Sequence, residues 1–201
     1  KTQIETIKTF GKVRLNESMA KHTTFKIGGT ALVFVTVSDI EQILALVSFL
    51  QEEGIAMLVL GGGSNMLVGD ENIERVVIDI KDDRMRVSEN TIVAMAGVPT
   101  VKVAQESVKH GLTGFEWGVG VPGTIGGAVR GNAGAMGKDM KDSVTQVLAF
   151  VDGETKAFSL SECEFFYRES VFKHMPEAVI MQVTLTLPSA KEKSGGMKKA
   201  L

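Results

Sequence analysis

An α+β fold in two lobes is what this 201-residue sequence predicts, and three observations predict it. Residues 31–80 alternate β-type apolar runs with one helical run. From about residue 84 the pattern changes to short strands around a single helix. Two glycine-rich stretches, Gly61 to Gly63 and Gly118 to Gly137, follow apolar segments rather than interrupt them. With 44% apolar and 23% charged residues, the chain has the make-up and length of a globular protein with a real core.

Taken in order, Ala31 to Val37 is β-branched and apolar without polar alternation, which predicts a buried strand. Ser38-Asp39-Ile40-Glu41 has the form of a capping box, with Ser38 as N-cap and Glu41 three residues on. The helix it opens sets Ile40, Ile43, Leu44, Val47 and Leu50 on one face, and Gly54 ends it. Ile55 to Leu60 and Arg75 to Ile80 are further strands, completing a first lobe over residues 1–80. A second lobe over 81–188 begins with strands Met85 to Val87 and Thr91 to Ala96. A helix follows over 100–110, after Pro99 and stopped by Gly111. Strands Val144 to Val151 and Val179 to Leu187 complete it, with a short helix capped by Ser159 and Glu162 between them. Residues 189–201 are polar and lysine-rich, a linker with Lys198 to Leu201 as the start of a further helix.

Gly61-Gly62-Gly63-Ser64-Asn65 is the most informative segment. Glycine loses more backbone freedom on folding than any other residue. Three in a row belong where φ is positive, or where something approaches the backbone with no Cβ in the way. Two readings fit: a tight strand-to-strand turn, or a nest of N–H donors for an anion such as a phosphate. The second stretch sets a turn at Pro122-Gly123 and then offers bare backbone through Thr124, Gly126, Gly127 and Ala128, running on to Asn132 and Gly134. Neither stretch carries the lysine of a P-loop or the long helix behind a G-x-G-x-x-G. Two glycine loops with no helix dipole behind them suit an extended ligand threaded between backbone segments, such as a dinucleotide pyrophosphate.

Thr23 to Gly29, Gly61 to Leu67, Val121 to Gly137 and Phe166 to Lys173 together resemble, in order, the motifs of the UDP-N-acetylenolpyruvoylglucosamine reductase (UDP-N-acetylmuramate dehydrogenase) family. The resemblance implies a two-lobed FAD-binding fold of the vanillyl-alcohol-oxidase type, with noncovalent FAD between the lobes. It implies an oxidoreductase of peptidoglycan precursor synthesis, in which NADPH reduces the flavin and hydride passes to a nucleotide-sugar enolpyruvyl ether. Gly61, Gly62, Gly63, Ser64, Asn65, Gly123, Thr124, Gly126, Gly127, Ala128, Asn132 and Gly134 become the expected cofactor-binding residues. Asn132 has a second reading, in which it satisfies backbone groups of its own loop.

Arg168, in Tyr167-Arg168-Glu169-Ser170, matches the family's catalytic arginine. Hydride addition to a double bond conjugated with a carboxylate builds enolate charge on the carboxylate oxygens. A planar, permanently charged guanidinium gains most when that charge peaks. The competing reading is a surface arginine paired with Glu164 or Glu169, worth little. Tyr167 is the expected substrate contact, with a half-buried aromatic as its alternative. The resemblance places the serine proton donor and its helper glutamate in a later substrate domain, so this stretch alone would bind FAD and turn over little. The alternatives are a catalytically silent FAD module, or another FAD-linked oxidase of the same fold.

Net charge −2 with no basic face argues against nucleic acid as a partner. No apolar run approaches the ~18 residues of a membrane span. The first residues lack a signal peptide's apolar core, so a cytoplasmic location is expected. His22, His110 and His174 have no ligand spacing, so no metal is expected. Cys163, the single cysteine, reads as a small core residue, and Trp117 as core beside the second loop.

Overall fold

The computed structural model describes residues 2–190. Its first sheet has the strand order β1-β2-β4-β3, from β1 Lys12–Ser18, β2 Thr30–Val37, β3 Met57–Leu60 and β4 Ile73–Ile80. β2 and β3 both run parallel to β4, as the helix between them requires, and β1 is antiparallel to β2. That helix, α2 Ile40–Glu52, buries Ile43, Leu46, Val47 and Leu50 on the sheet beside α1 Thr2–Phe10. Its N-cap is Asp39, not Ser38: the Asp39 carboxylate accepts from the amides of Glu41 and Gln42. Gly54 ends it at φ +64°.

The second sheet is antiparallel throughout, in the order β10-β9-β11-β6-β5. Its strands are β5 Met85–Ser88, β6 Thr91–Met95, β9 Val144–Val151, β10 Glu154–Ser159 and β11 Val179–Thr186, and β7 Gly134–Ala135 with β8 Lys138–Asp139 forms a separate two-stranded sheet. Helix α3 Thr100–Lys109 packs on it, and Trp117 stacks edge-on to Phe115 in the same core, at 4.8 Å. Two findings differ from expectation here. The capped segment after Ser159 is a single turn, although Ser159 and Glu162 do bond reciprocally. The glycine stretch also contains a six-residue helix, α4 Ile125–Arg130, so bare backbone there is confined to its ends.

Phe150, Val179 and Met181 of the second sheet share a buried cluster with Ile43, Leu46, Ile78 and Ile80 of the first lobe. The connection between sheets is tight. Gly97 leaves room for the carbonyls of Ile80 and Asp82, which a Cβ would approach to 2.8 and 2.7 Å. Asp82, 1% exposed, receives Arg84 through two guanidinium bonds of 2.8 and 2.6 Å. Of the residues expected to form a linker, Ala190 donates to the Gly111 carbonyl, and 191–201 lie outside the described residues.

Candidate functional site

The glycine loop leaves β3 at Leu60 and is wedged between two other backbone segments. A Cβ on Gly62 would lie 2.5 Å from Gly123 Cα, and one on Gly61 would lie 2.8 Å from Thr124 Oγ1. On the other side, a Cβ on Gly63 would come within 1.8 Å of the His22 carbonyl oxygen, and Gly63 has φ +62°. Two hydrogen bonds fasten the arrangement: the Thr24 amide to the Gly63 carbonyl at 3.1 Å, and Ser64 Oγ to the Pro122 carbonyl at 3.1 Å. Three segments far apart in sequence therefore meet backbone to backbone. Gly62 and Gly63 are required sterically, whereas at Gly61 a Cβ would displace the Thr124 hydroxyl.

What the loop does not bond is as informative. Among the described residues, none of the amides from Gly61 to Asn65 donates a hydrogen bond within the chain. Buried or half-buried donors are ordinarily paired; the open amides of Gly61, Gly63 and Ser64 therefore call for an acceptor, and the exposed Gly62 and Asn65 extend the donor row at the surface. A plain turn has no need of them. Beside the loop lies a cavity of about 270 Å³, lined by Lys21, His22, Thr23, Thr24, Leu60, Gly61, Gly62, Asp79 and Lys81.

The other expected residues divide. Gly123 and Thr124 stand against the loop. Thr124 also caps α4, its Oγ1 accepting from the Gly127 amide at 3.4 Å. Gly126 and Ala128 have their backbone amides engaged within the chain, and Gly126 is tightly packed as well. The Gly126 amide bonds the Ala96 carbonyl, the Ala128 amide bonds Thr124, and a Cβ on Gly126 would lie 2.8 Å from Ala96 Cβ. Asn132, 1% exposed, takes its second reading: Nδ2 donates to Asp139 Oδ2 at 3.1 Å and to the Phe166 carbonyl at 2.8 Å. Its Oδ1 accepts from the Lys141 amide. Gly134 is a close-approach glycine, because a Cβ there would lie 2.3 Å from the Lys138 carbonyl oxygen.

Asn132 and Gly134 instead hold the Tyr167-Arg168 turn. Phe166 and Glu169 exchange backbone hydrogen bonds of 3.0 and 3.1 Å, placing Tyr167 and Arg168 at the tip, with Arg168 at φ +55°. Arg168 Nη2 donates to the Gly134 carbonyl at 3.1 Å. Ser170 Oγ bonds the Arg130 carbonyl at 2.7 Å, and Arg130 in turn donates to Phe172. Burial pushes the Arg130 guanidinium's pKa down, with Glu169 opposing. Arg168 forms no ion pair among the described residues, since Glu169 pairs with Lys173 and His174. The surface-pair reading is therefore not what the side chain does. Tyr167 is exposed, not half-buried.

Sequence reasoning missed Lys21, His22, Asp79 and Lys81. A signal existed for one of them: Asp79 is the only charge in the apolar run Val76 to Ile80. His22 stacks on Phe34 at 4.2 Å and bonds Glu17 at 3.0 Å, which holds the Glu17 carboxyl below its usual range.

The chain is 42% identical over 166 residues to the UDP-N-acetylenolpyruvoylglucosamine reductase of Halalkalibacterium halodurans, covering 81% of this chain and 55% of that protein. To the enzyme of the same name from Bacillus subtilis it is 35% identical over 187 residues, 92% of this chain and 62% of that one. The chain thus spans little more than half the length of such relatives. Among solved structures, the UDP-N-acetylenolpyruvylglucosamine reductase of Thermus caldophilus superposes with TM-score 0.74 at 30% identity, covering 89% of this chain and 62% of that one. An alkyldihydroxyacetonephosphate synthase, at 17% identity, shares the fold with TM-score 0.65 over 92% of this chain and 40% of its own. The two-lobed α+β architecture expected from the resemblance is the one found. Residues 31–158, which contain the open-amide loop, the Pro122 to Thr124 turn and the link between the sheets, match the FAD binding domain model, and the chain belongs to that family.

Proposed function

We propose that this chain is the FAD-binding part of a UDP-N-acetylenolpyruvoylglucosamine reductase, acting in the cytoplasm on a nucleotide-sugar enolpyruvyl ether with NADPH as reductant. The observation that carries the reading is the loop of open amides, packed so closely that a Cβ on Gly62 or Gly63 would clash with backbone. The donor set fits the group. Amides at Gly61 to Asn65 would hold the pyrophosphate, and Gly123 and Thr124 would close its other side. Bound FAD would supply a ring that takes hydride from NADPH and returns it to an unsaturated carbon.

Within this reading Arg168 stabilises the carboxylate on which charge collects. Its guanidinium is exposed, has no carboxylate partner among the described residues, and donates to the Gly134 carbonyl. The turn fixes the backbone beneath it, so the guanidinium is offered from a set position. Tyr167 stands beside it, exposed, with Arg168 Cζ 5.9 Å from its ring centre.

The test is anaerobic. NADPH is added to FAD-loaded protein, then the enolpyruvyl substrate, with flavin absorbance followed throughout. It is run on this chain and on the chain joined to the remaining segment of the Bacillus subtilis relative. The joined protein is expected to bleach with NADPH and recover with substrate. In its Arg168→Lys variant bleaching is unchanged and recovery is slower by ~10²-fold, the scale for one well-placed oxyanion donor. Equal slowing of both steps assigns Arg168 to the fold. No recovery in any form favours the silent FAD module.

A further inference from the structure

Arg168 and Glu169 are adjacent residues of opposite charge on long, flexible stems, and both belong to the turn that Phe166 and Glu169 close. Paired with each other, they would leave Arg168 little charge to offer a ligand. They do not pair in the structure: Glu169 is taken elsewhere. Its Oε1 accepts from the Ser170 amide at 3.2 Å and faces His174 Nε2 at 3.6 Å, and its Oε2 lies 3.9 Å from Lys173 Nζ. Arg130 also feels the Glu169 charge, but it donates to the Phe172 carbonyl. Of the other carboxylates near the turn, Asp139 accepts from Asn132 Nδ2 at 3.1 Å, and Glu164 lines a separate cavity with Lys141.

Two observations single out Lys173 among these partners. A histidine carries its charge only toward acid pH, and His174 is exposed, so at neutral pH the lasting cation of the Glu169 ion pairs is Lys173. The Lys173 ammonium also donates to the Arg168 carbonyl, which fixes it to the main chain of the very residue whose side chain must stay open. Lys173 starts from a single 3-10 turn, Val171–Lys173, anchored by the fully buried Phe172, whose ring lies 5.0 Å from that of Phe158. The lysine is therefore held at both ends. An exposed ion pair contributes little stability. What this one does is set where the carboxylate lies.

We infer that Lys173 is a positioning residue, holding the Glu169 carboxylate off Arg168 so that the guanidinium stays open to an anionic ligand. The inference rests on the proposed role of Arg168 and adds to it the residue that keeps Arg168 unpaired. The competing role is a clamp on the turn, acting through the Arg168 carbonyl alone. The two differ in one respect. A clamp lost with Lys173 cannot be restored by changing Glu169, whereas a carboxylate set free by that loss can be neutralised.

The experiment compares Lys173→Met, Glu169→Gln and the double variant with wild type. Glutamine keeps an acceptor for the Ser170 amide and drops the charge. On this chain, the rate at which phenylglyoxal modifies the Arg168 guanidinium is followed by peptide mass spectrometry. On the joined protein, the two flavin half-reactions are followed as above. Lys173→Met is expected to slow both the modification and the reoxidation by substrate about fivefold, the scale of an exposed ion pair, with reduction by NADPH unchanged. The double variant should return both to within about twofold of wild type. Wild-type rates in Lys173→Met overturn the inference. So does a loss that Glu169→Gln fails to rescue, since Lys173 is then only a clamp, and so does a change in one readout without the other. Should Lys173→Met fail to fold, Lys173→Gln takes its place. Arg168→Lys separates the two readings: if it reoxidises at the wild-type rate, the role of Arg168 falls and this inference with it. If it is slow while Lys173→Met is not, this inference falls alone.

Discussion

At Gly63 the backbone is left-handed and a Cβ would stand inside the His22 carbonyl oxygen, whereas at Gly54 the backbone is equally left-handed with nothing within 4 Å. The pair separates conformational cost from steric cost. Gly54→Ala is expected to lose about 1 kcal/mol in urea unfolding, the cost of an L-residue in that region. Gly63→Ala should lose several kcal/mol, ~3 or more, because the 21–24 segment must also move. Equal losses would mean that the loop yields freely. Cys163 gives a second residue-scale test. Burial, with Glu162 adding to it, pushes its thiol up to about 11 from an ordinary value of 9.0. Its folded pKa lies above its unfolded one, so its contribution is complete below pH 9 and lost as pH rises toward 11. Thermal melts across that window should fall more steeply for wild type than for Cys163→Ala; parallel curves would contradict the assignment.

The Tyr167-Arg168 turn shows how an element is made from bonds that no periodicity announces. Four side chains distant in sequence, Arg130, Asn132, Arg168 and Ser170, tie Phe166–Phe172 to the loop after α4. Asn132→Ala leaves the Lys141 amide without its partner and takes one of two donors from the Phe166 carbonyl, which keeps the Glu169 amide, and should cost ~2–3 kcal/mol. It should also speed hydrogen exchange at the Phe166 and Glu169 amides, and unchanged exchange there would show that the turn stands without it. Elements carried by apolar runs were legible: β2, α2, β3, β4, α3, β9 and β11 all lie where the sequence puts them. Elements carried by little apolar burial were not. α1 buries only Ile7, and β10, ETKAFS, is an exposed edge strand. The Asp152-Gly153 turn that closes β9 on β10, with both residues at positive φ, was the available sign for that hairpin.

In the whole molecule the two glycine stretches serve different ends. The first keeps its amides open, and the second spends most of its backbone on α4, on packing against Ala96, and on seating the turn that carries Arg168. Sequence revealed that both were close-approach segments. Which molecule approached, a ligand or the chain itself, depended on long-range contacts that glycines do not declare. The same holds for Asp79, whose place beside the loop follows from strand register. No described helix is long and apolar enough to cross a membrane. Gly62→Val, whose Cβ would overlap Gly123, should part the two stretches and weaken FAD by roughly a hundredfold or more in a flavin fluorescence titration.

The central claim is that the Gly61 to Asn65 amides are the acceptor-binding surface. Residue-resolved amide NMR and hydrogen exchange on the chain, with and without FAD, address it directly. FAD is expected to shift those five resonances and slow their exchange at least tenfold, with smaller changes at Gly123 and Thr124. FAD that binds while the five amides keep their shifts and exchange rates, or that does not bind, would contradict the account.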